Sequence, residues 1–148
     1  LGHITVVHRG APPLAVVDGG AWGVQVSPEG RRVAWSTGTL AEPTLRVMDV
    51  IGGHTRELGA GVHPVWLPDG FGVIFARHDG VRRIGGRGNV VGADLWLHDV
   101  TRGETRRLTD TPHRGEMQPR LSADGRWLVF ADWLTGSVYR AALRGGTP

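Results

Sequence analysis

The sequence contains no cysteine, no lysine and no long apolar run. The absence of cysteine excludes disulfides and thiolate chemistry. No stretch of 18 apolar residues occurs, so the sequence predicts no transmembrane helix. All 17 basic residues are arginine, a bias typical of GC-rich genomes, and 14 acidic residues leave a net charge of only +3. The arginines alternate with acids and form no single basic stripe, which argues against nucleic acid as a partner.

What the sequence does contain is typical of a folded, β-rich chain. Hydrophobic residues make up 40% of the 148 positions, and 24 glycines and 9 prolines divide them into short segments. This length suits one modest domain or a piece of a larger one. No apolar stripe with the helical period extends over ten or more residues. The sequence therefore predicts an all-β fold.

A hairpin pattern occurs three times, over residues 24–36, 64–76 and 119–131. Each copy reads as a short apolar strand, a turn that ends in an acid and a glycine, and a second apolar strand. Glycine adopts the positive φ that such a turn needs without steric cost. The turn glycines are Gly30, Gly70 and Gly125. Each copy therefore predicts a tight β-hairpin.

A second pair of strands follows the first two hairpins, and a single strand follows the third. These predicted strands cover residues 45–50 and 55–58, then 95–100 and 105–108, and finally 138–143. Each complete unit thus has four short antiparallel strands. Roughly 40–45 residues are typical of a four-stranded propeller blade, and the pattern indicates an all-β β-propeller built from such blades.

This pattern resembles the WD-repeat-like blades of TolB-type β-propellers. The resemblance is strongest over residues 64–109, which include Pro68-Asp69-Gly70 and the strand 94–99. Glu29 departs from the pattern because it stands where the turn aspartate is expected. The resemblance implies a propeller that binds a protein or peptide partner through one face and the central channel. It also implies a periplasmic or extracytoplasmic location.

The predicted strands assign a part of a blade to each end of the chain. Residues 1–17 are the end of a preceding blade, 18–58 form a blade, 59–109 form a blade with an inserted loop at 77–93, and 110–148 form a blade without its last strand. A propeller needs roughly 4–8 blades to close. We therefore expect one incomplete, open propeller segment whose partners include the remaining blades. Pairing with another copy, or a blade shared between the two ends, is the alternative.

Two groups of residues are candidates for binding. Arg82, Arg83 and Arg87 lie in the inserted loop and could bind carboxylates or phosphates; alternatively, they are solvated side chains on a hairpin. His63 and His113 each precede an innermost predicted strand, which places them on one face near the channel. Histidines at such positions could bind a metal or a partner, although structural histidines are the more common case. We predict no metal and no cofactor.

No catalytic constellation is evident. The serines lack a Gly-x-Ser-x-Gly elbow and a suitably spaced base, so we predict a non-enzymatic scaffold for a protein or peptide. One alternative is the substrate-gating propeller of a prolyl-oligopeptidase-like serine peptidase whose hydrolase domain lies outside this chain. Another is a saccharide lyase that uses channel histidines and a divalent metal, with Glu116 and Gln118 as further ligands.

Residue types that recur at equivalent positions of the repeats favour structural roles. Trp35, Phe75 and Phe130 occupy one column of the second strand, which predicts packing between neighbouring blades. Asp49 and Asp99 end third strands just before turns, where a short acid accepts backbone N–H bonds.

Overall fold

The computed structural model describes residues 4–6, 14–17, 20–78, 81–84, 87–90, 92–111 and 114–143. These residues form fifteen β-strands and no helix, so no helix in them is able to cross a membrane. The strands are β1 (Ile4–Val6), β2 (Leu14–Val17), β3 (Trp22–Val26), β4 (Arg32–Gly38), β5 (Pro43–Asp49), β6 (Thr55–Gly59), β7 (Val62–Trp66), β8 (Gly72–His78), β9 (Val81–Ile84), β10 (Arg87–Val90), β11 (Ala93–Asp99), β12 (Glu104–Arg107), β13 (Glu116–Leu121), β14 (Trp127–Asp132) and β15 (Ser137–Ala142).

Three antiparallel sheets follow one another along the chain. The first sheet has the order β3-β4-β5-β6, the middle sheet β7-β8-β11-β12, and the last sheet β13-β14-β15. The pairs β1–β2 and β9–β10 form two further hairpins. The predicted all-β fold of repeated antiparallel sheets is confirmed. The assignment of β1–β2 to a preceding blade stays a prediction.

The three repeated turns have the backbone that their sequences predict. The N–H of Gly30 donates to the Ser27 carbonyl at 2.8 Å, and Gly70 and Gly125 make the same bond to Leu67 and Ser122. All three glycines have positive φ, between 68° and 73°. These turns set the register of the first two strands in every sheet.

Apolar cores fill the space between neighbouring sheets. Ala34 and Val47 of the first sheet pack with Trp66 and Val73 of the middle sheet. A second core joins the middle and last sheets and includes Ile74, Ala76, Leu95, Leu128 and Phe130. Full burial of a valine, leucine, isoleucine or phenylalanine side chain stabilises the fold by roughly 1.5–3 kcal/mol. The sheets therefore stack face to face, as propeller blades do.

The aromatic column is buried as expected. Trp35, Phe75 and Phe130 are 1%, 1% and 5% exposed. Phe75 packs beside the first sheet, because a Cβ added at Gly61 would lie 2.6 Å from the Phe75 ring and 3.2 Å from the Leu45 Cβ. Trp35 packs with Val33 and Met48 within the first sheet's own core cluster.

Two expectations need correction. The inserted segment 77–93 is not all loop: β8 continues to His78, β11 begins at Ala93, and β9 and β10 pair between them.

Asp99 accepts backbone N–H bonds from Thr101 and Arg102, as predicted. Asp49 differs, because its Oδ1 accepts a bond from the Arg32 guanidinium at 3.2 Å.

Candidate functional site

The sheets have an upper end, which we define by the first residues of the inner strands β3, β7 and β13. In a propeller the sheets surround a central channel, and here β7 lies next to both β3 and β13. Because neighbouring strands are antiparallel, the ends of β8 and β14 also lie at the upper end. The β9–β10 hairpin is inserted there, between the end of β8 and the start of β11. The turns that contain Gly30, Gly70 and Gly125 lie at the opposite, lower end.

Each inner strand has an irregular register at the same position. The shift lies between Trp22 and Gln25 in β3, between Val62 and Val65 in β7, and between Met117 and Arg120 in β13. Such a bulge bends the strand and redirects a side chain. The first of the two residues inside each shift lies seven positions before the turn glycine. These three residues are Gly23, His63 and Gln118, and all have positive φ, at 64°, 53° and 54°.

His63 is half-buried where the inner strands meet. Its ring lies edge-on to the Trp22 indole, with centroids 5.8 Å apart. Burial, together with the positive charge of Arg120, lowers the pKa of His63, so the ring is neutral at neutral pH. Its Nδ1 atom is buried and has no hydrogen-bond partner among the described residues.

The predicted position of His63 needs correction. His63 does not precede the inner strand; it is the second residue of β7. Its counterpart in the last sheet is Gln118, in the middle of β13. His113 itself lies outside the described residues. Its proposed role in binding, like that of His63, stays a prediction.

The arginines of the inserted segment belong to the hairpin. Arg82 and Arg83 are in β9, Arg87 begins β10, and Arg83 pairs with Gly88 across the hairpin. Because the hairpin connects the end of β8 to the start of β11, all three arginines belong to a segment attached at the upper end. What their side chains bind stays a prediction.

Two buried carboxylates fix the connection into β13. Glu116 is fully buried and accepts hydrogen bonds from the hydroxyls of Thr109 and Thr111, the latter at 2.6 Å. Asp94 accepts the N–H of Thr111 at 3.2 Å and a bond from the Arg107 guanidinium. Glu116 therefore has a structural role, and within the described ranges no group of three histidines, cysteines or acids is arranged to hold a metal ion.

A tryptophan stands exposed at the upper end, on the turn after β14. The Trp133 side chain is 61% exposed. The backbone N–H of Trp133 donates to the Gly115 carbonyl at 2.8 Å. The neighbouring Leu134 donates its N–H to Asp132 Oδ1 at 3.0 Å, and Thr135 Oγ1 donates to Oδ2 at 2.9 Å. The turn is thus held at several points while its largest side chain faces solvent.

The Asp132 carboxylate that organises this turn is itself buried. Burial raises the pKa of Asp132, but the N–H groups of Gly115 and Leu134 and the Thr135 hydroxyl together lower it further. The carboxylate therefore stays ionised at neutral pH and continues to accept these bonds.

Sequence reasoning missed Trp133 and considered Gln118 only as a possible metal ligand. A signal for Trp133 was available, because Trp133 and Leu134 lie between the acid and the glycine of a tight turn, where large apolar side chains cannot reach the core. No comparable signal marks Gln118, since glutamine before proline is typical of an ordinary extended segment.

Comparison with known proteins shows likeness in structure only. No protein-family model matches the chain. No curated protein sequence matches it either. Three solved structures illustrate the likeness. TolB from Acinetobacter baumannii is 18% identical with a TM-score of 0.65, and the match covers 93% of this chain and 34% of that one.

The other two are enzymes by name. A prolyl endopeptidase is 17% identical with a TM-score of 0.67, over 95% of this chain and 24% of that one. Hydrazine synthase from Kuenenia stuttgartiensis is 16% identical with a TM-score of 0.68, over 97% of this chain and 47% of that one. The chain thus spans less than half the length of each of these proteins.

Identities at this level establish the fold alone, and one fold serves unrelated functions. The three described sheets stack in sequence and do not close into a ring, in agreement with an open segment of a propeller. The resemblance found in the sequence is confirmed: this chain has the fold of TolB-like β-propeller proteins and corresponds to part of such a propeller.

Proposed function

We propose that this chain is a non-catalytic propeller scaffold that binds a protein or peptide partner at its upper end. The observation on which the proposal rests is Trp133, a large aromatic side chain that is 61% exposed on a well-ordered turn. Tryptophan is enriched among the residues that contribute most to binding energy at protein interfaces. A side chain whose backbone is already fixed loses little conformational entropy on binding.

The surroundings of Trp133 support a binding surface. Leu134 beside it is 38% exposed, so the turn offers two adjacent apolar side chains. The inner strands with His63 and Gln118 begin at the same end, and the β9–β10 hairpin is attached there. A partner seated on this end would contact an apolar anchor surrounded by polar groups, which is the usual arrangement of an interface.

A peptide selection tests this proposal. The full chain is immobilised and challenged with a random peptide library, and enriched peptides are measured against the wild type and Trp133→Ala. The matched control is Trp127→Ala, because Trp127 begins the same strand at the lower end and is 37% exposed. We expect Trp133→Ala to weaken binding at least about tenfold, as loss of an interface anchor does, and Trp127→Ala to leave it unchanged.

Two results would contradict the proposal. One is a library from which no peptide is enriched over an unrelated immobilised protein. The other is a set of enriched peptides that bind Trp133→Ala and the wild type equally well.

A further inference from the structure

The inner strands contain two residues in a backbone conformation that their side chains disfavour. His63 has φ of 53° and Gln118 has φ of 54°, and each is followed by proline. The left-handed region is uncommon for residues other than glycine, although asparagine, aspartate and histidine adopt it more often than the rest. A following proline also disfavours helical backbone angles. Each position therefore stores strain of about 1–3 kcal/mol.

The first sheet shows that the fold does not require a side chain at this position. There the equivalent residue is Gly23, with φ of 64° in the same type of bulge. Glycine adopts this conformation without strain. Two of the three sheets nevertheless have a hydrogen-bonding side chain at the strained position. Strained residues of this kind cluster at active sites, ligand clamps and switch regions.

An arginine without an acidic partner lies beside them. Arg120 is exposed, and its guanidinium donates to the Pro119 carbonyl at 2.9 Å. Among the described residues no carboxylate lies within 4.0 Å of this guanidinium. Arg120 is close enough to His63 for its charge to disfavour protonation of the ring. Arg120 thus forms no ion pair with a carboxylate in the part of the chain that the structure describes.

We propose that His63, Gln118 and Arg120 form a binding site for a peptide carboxylate on the inner strands. The inference rests on the proposed function and names the chemistry of the partner. Arginine presents paired N–H donors that match a carboxylate. The Gln118 amide offers two further N–H donors and a neutral His63 offers one. A bound carboxylate offsets the charge of Arg120.

Anisotropy measurements with four labelled peptides of equal length test this inference. Three are amidated at the C-terminus and contain glutamates, lysines or only glycine and serine. The fourth is the glycine–serine peptide with a free C-terminal carboxylate. We expect the glutamate peptide or the free-acid peptide to bind at least tenfold more tightly than the amidated glycine–serine and lysine peptides. The stronger of the two identifies the source of the carboxylate.

Variants locate the site. Arg120→Gln should weaken carboxylate binding about 10–100-fold, the range expected for loss of a hydrogen bond to a charged group. The control Arg106→Gln removes an exposed arginine from the outer strand β12 and should have no effect. His63→Gly and Gln118→Gly should each weaken binding without lowering the urea midpoint of unfolding, a result that a purely structural role would not give.

The outcomes separate this inference from the proposed function. The carboxylate site is overturned if neither the glutamate peptide nor the free-acid peptide binds more tightly than the amidated glycine–serine and lysine peptides, or if Arg120→Gln leaves carboxylate binding unchanged. If library peptides still require Trp133 in that case, the proposed function stands. If no peptide of any charge binds the chain, both are overturned.

Discussion

Replacing Gln118 by glycine should stabilise the protein, although glycine within a strand usually destabilises. Gln118 has φ of 54°, is exposed, and makes no hydrogen bond to the described residues. Releasing a side chain from the left-handed region gains about 1–2 kcal/mol. The added freedom of glycine in the unfolded chain costs roughly 0.5–1 kcal/mol. The expected net gain is therefore about 0.5–1 kcal/mol.

The reverse change in the first sheet should have the opposite sign. In Gly23→Ala the new Cβ would lie 3.6 Å from Pro64 Cδ, an ordinary contact, so no clash contributes. The backbone strain costs about 1–2 kcal/mol, and the loss of unfolded-state freedom returns about 0.4–1 kcal/mol. Gly23→Ala should thus destabilise by about 0.5–1 kcal/mol.

Urea unfolding at pH 7 measures both changes, with Arg106→Gly as the control for glycine in a regular strand. Arg106 is exposed in β12 and does not have a positive φ. We expect Arg106→Gly to destabilise by about 0.5–1 kcal/mol while Gln118→Gly stabilises. The reasoning is refuted if Gln118→Gly and Arg106→Gly lower the midpoint by the same amount.

Two further predictions concern buried polar groups. Glu116→Ala should destabilise the protein by at least about 2 kcal/mol, because it leaves two threonine hydroxyls without their acceptor. The control Glu104→Ala removes an exposed carboxylate and should change the urea midpoint little. Equal effects of the two substitutions would contradict a structural role for Glu116. The second prediction follows from burial, which with nearby arginines lowers the pKa of both His63 and His98 in the folded state. Their contribution to stability is therefore complete above about pH 6.5, the unfolded value, and is lost as the pH falls below it. The urea midpoint should be lower at pH 5 than at pH 7.5, and His63→Gln should reduce the difference; an identical difference in His63→Gln would exclude His63 as a contributor.

The sheets were predictable because local sequence determines their hairpins. The turns at Gly30, Gly70 and Gly125 need an acid and a glycine at fixed positions, and the flanking apolar residues then have only one register that buries them. The buried aromatic column followed from the same register. The hairpin β9–β10 was predicted only as an alternative to a binding loop, because its glycine-rich sequence has no alternation of apolar and polar residues.

The candidate site was only partly predictable. His63 attracted attention as a histidine near an inner strand, but its conformation depends on a bulge that the sequence does not mark. Gln118 was predicted only as a possible metal ligand, and the structure alone shows that its backbone has the same positive φ as that of His63. The structural role of Glu116 was not predictable either. It depends on hydrogen bonds from Thr109 and Thr111, which lie in the segment that connects β12 to β13.

The most direct test of binding at the upper end is a backbone and indole N–H NMR titration. The ¹⁵N-labelled chain is titrated with a peptide enriched from the library. We expect chemical-shift changes for the Trp133 indole N–H and for the amides of His63 and Gln118. The amides of Gly30 and Gly70 at the lower end should not change. Shifts confined to the lower end, or none at saturating peptide, would contradict it.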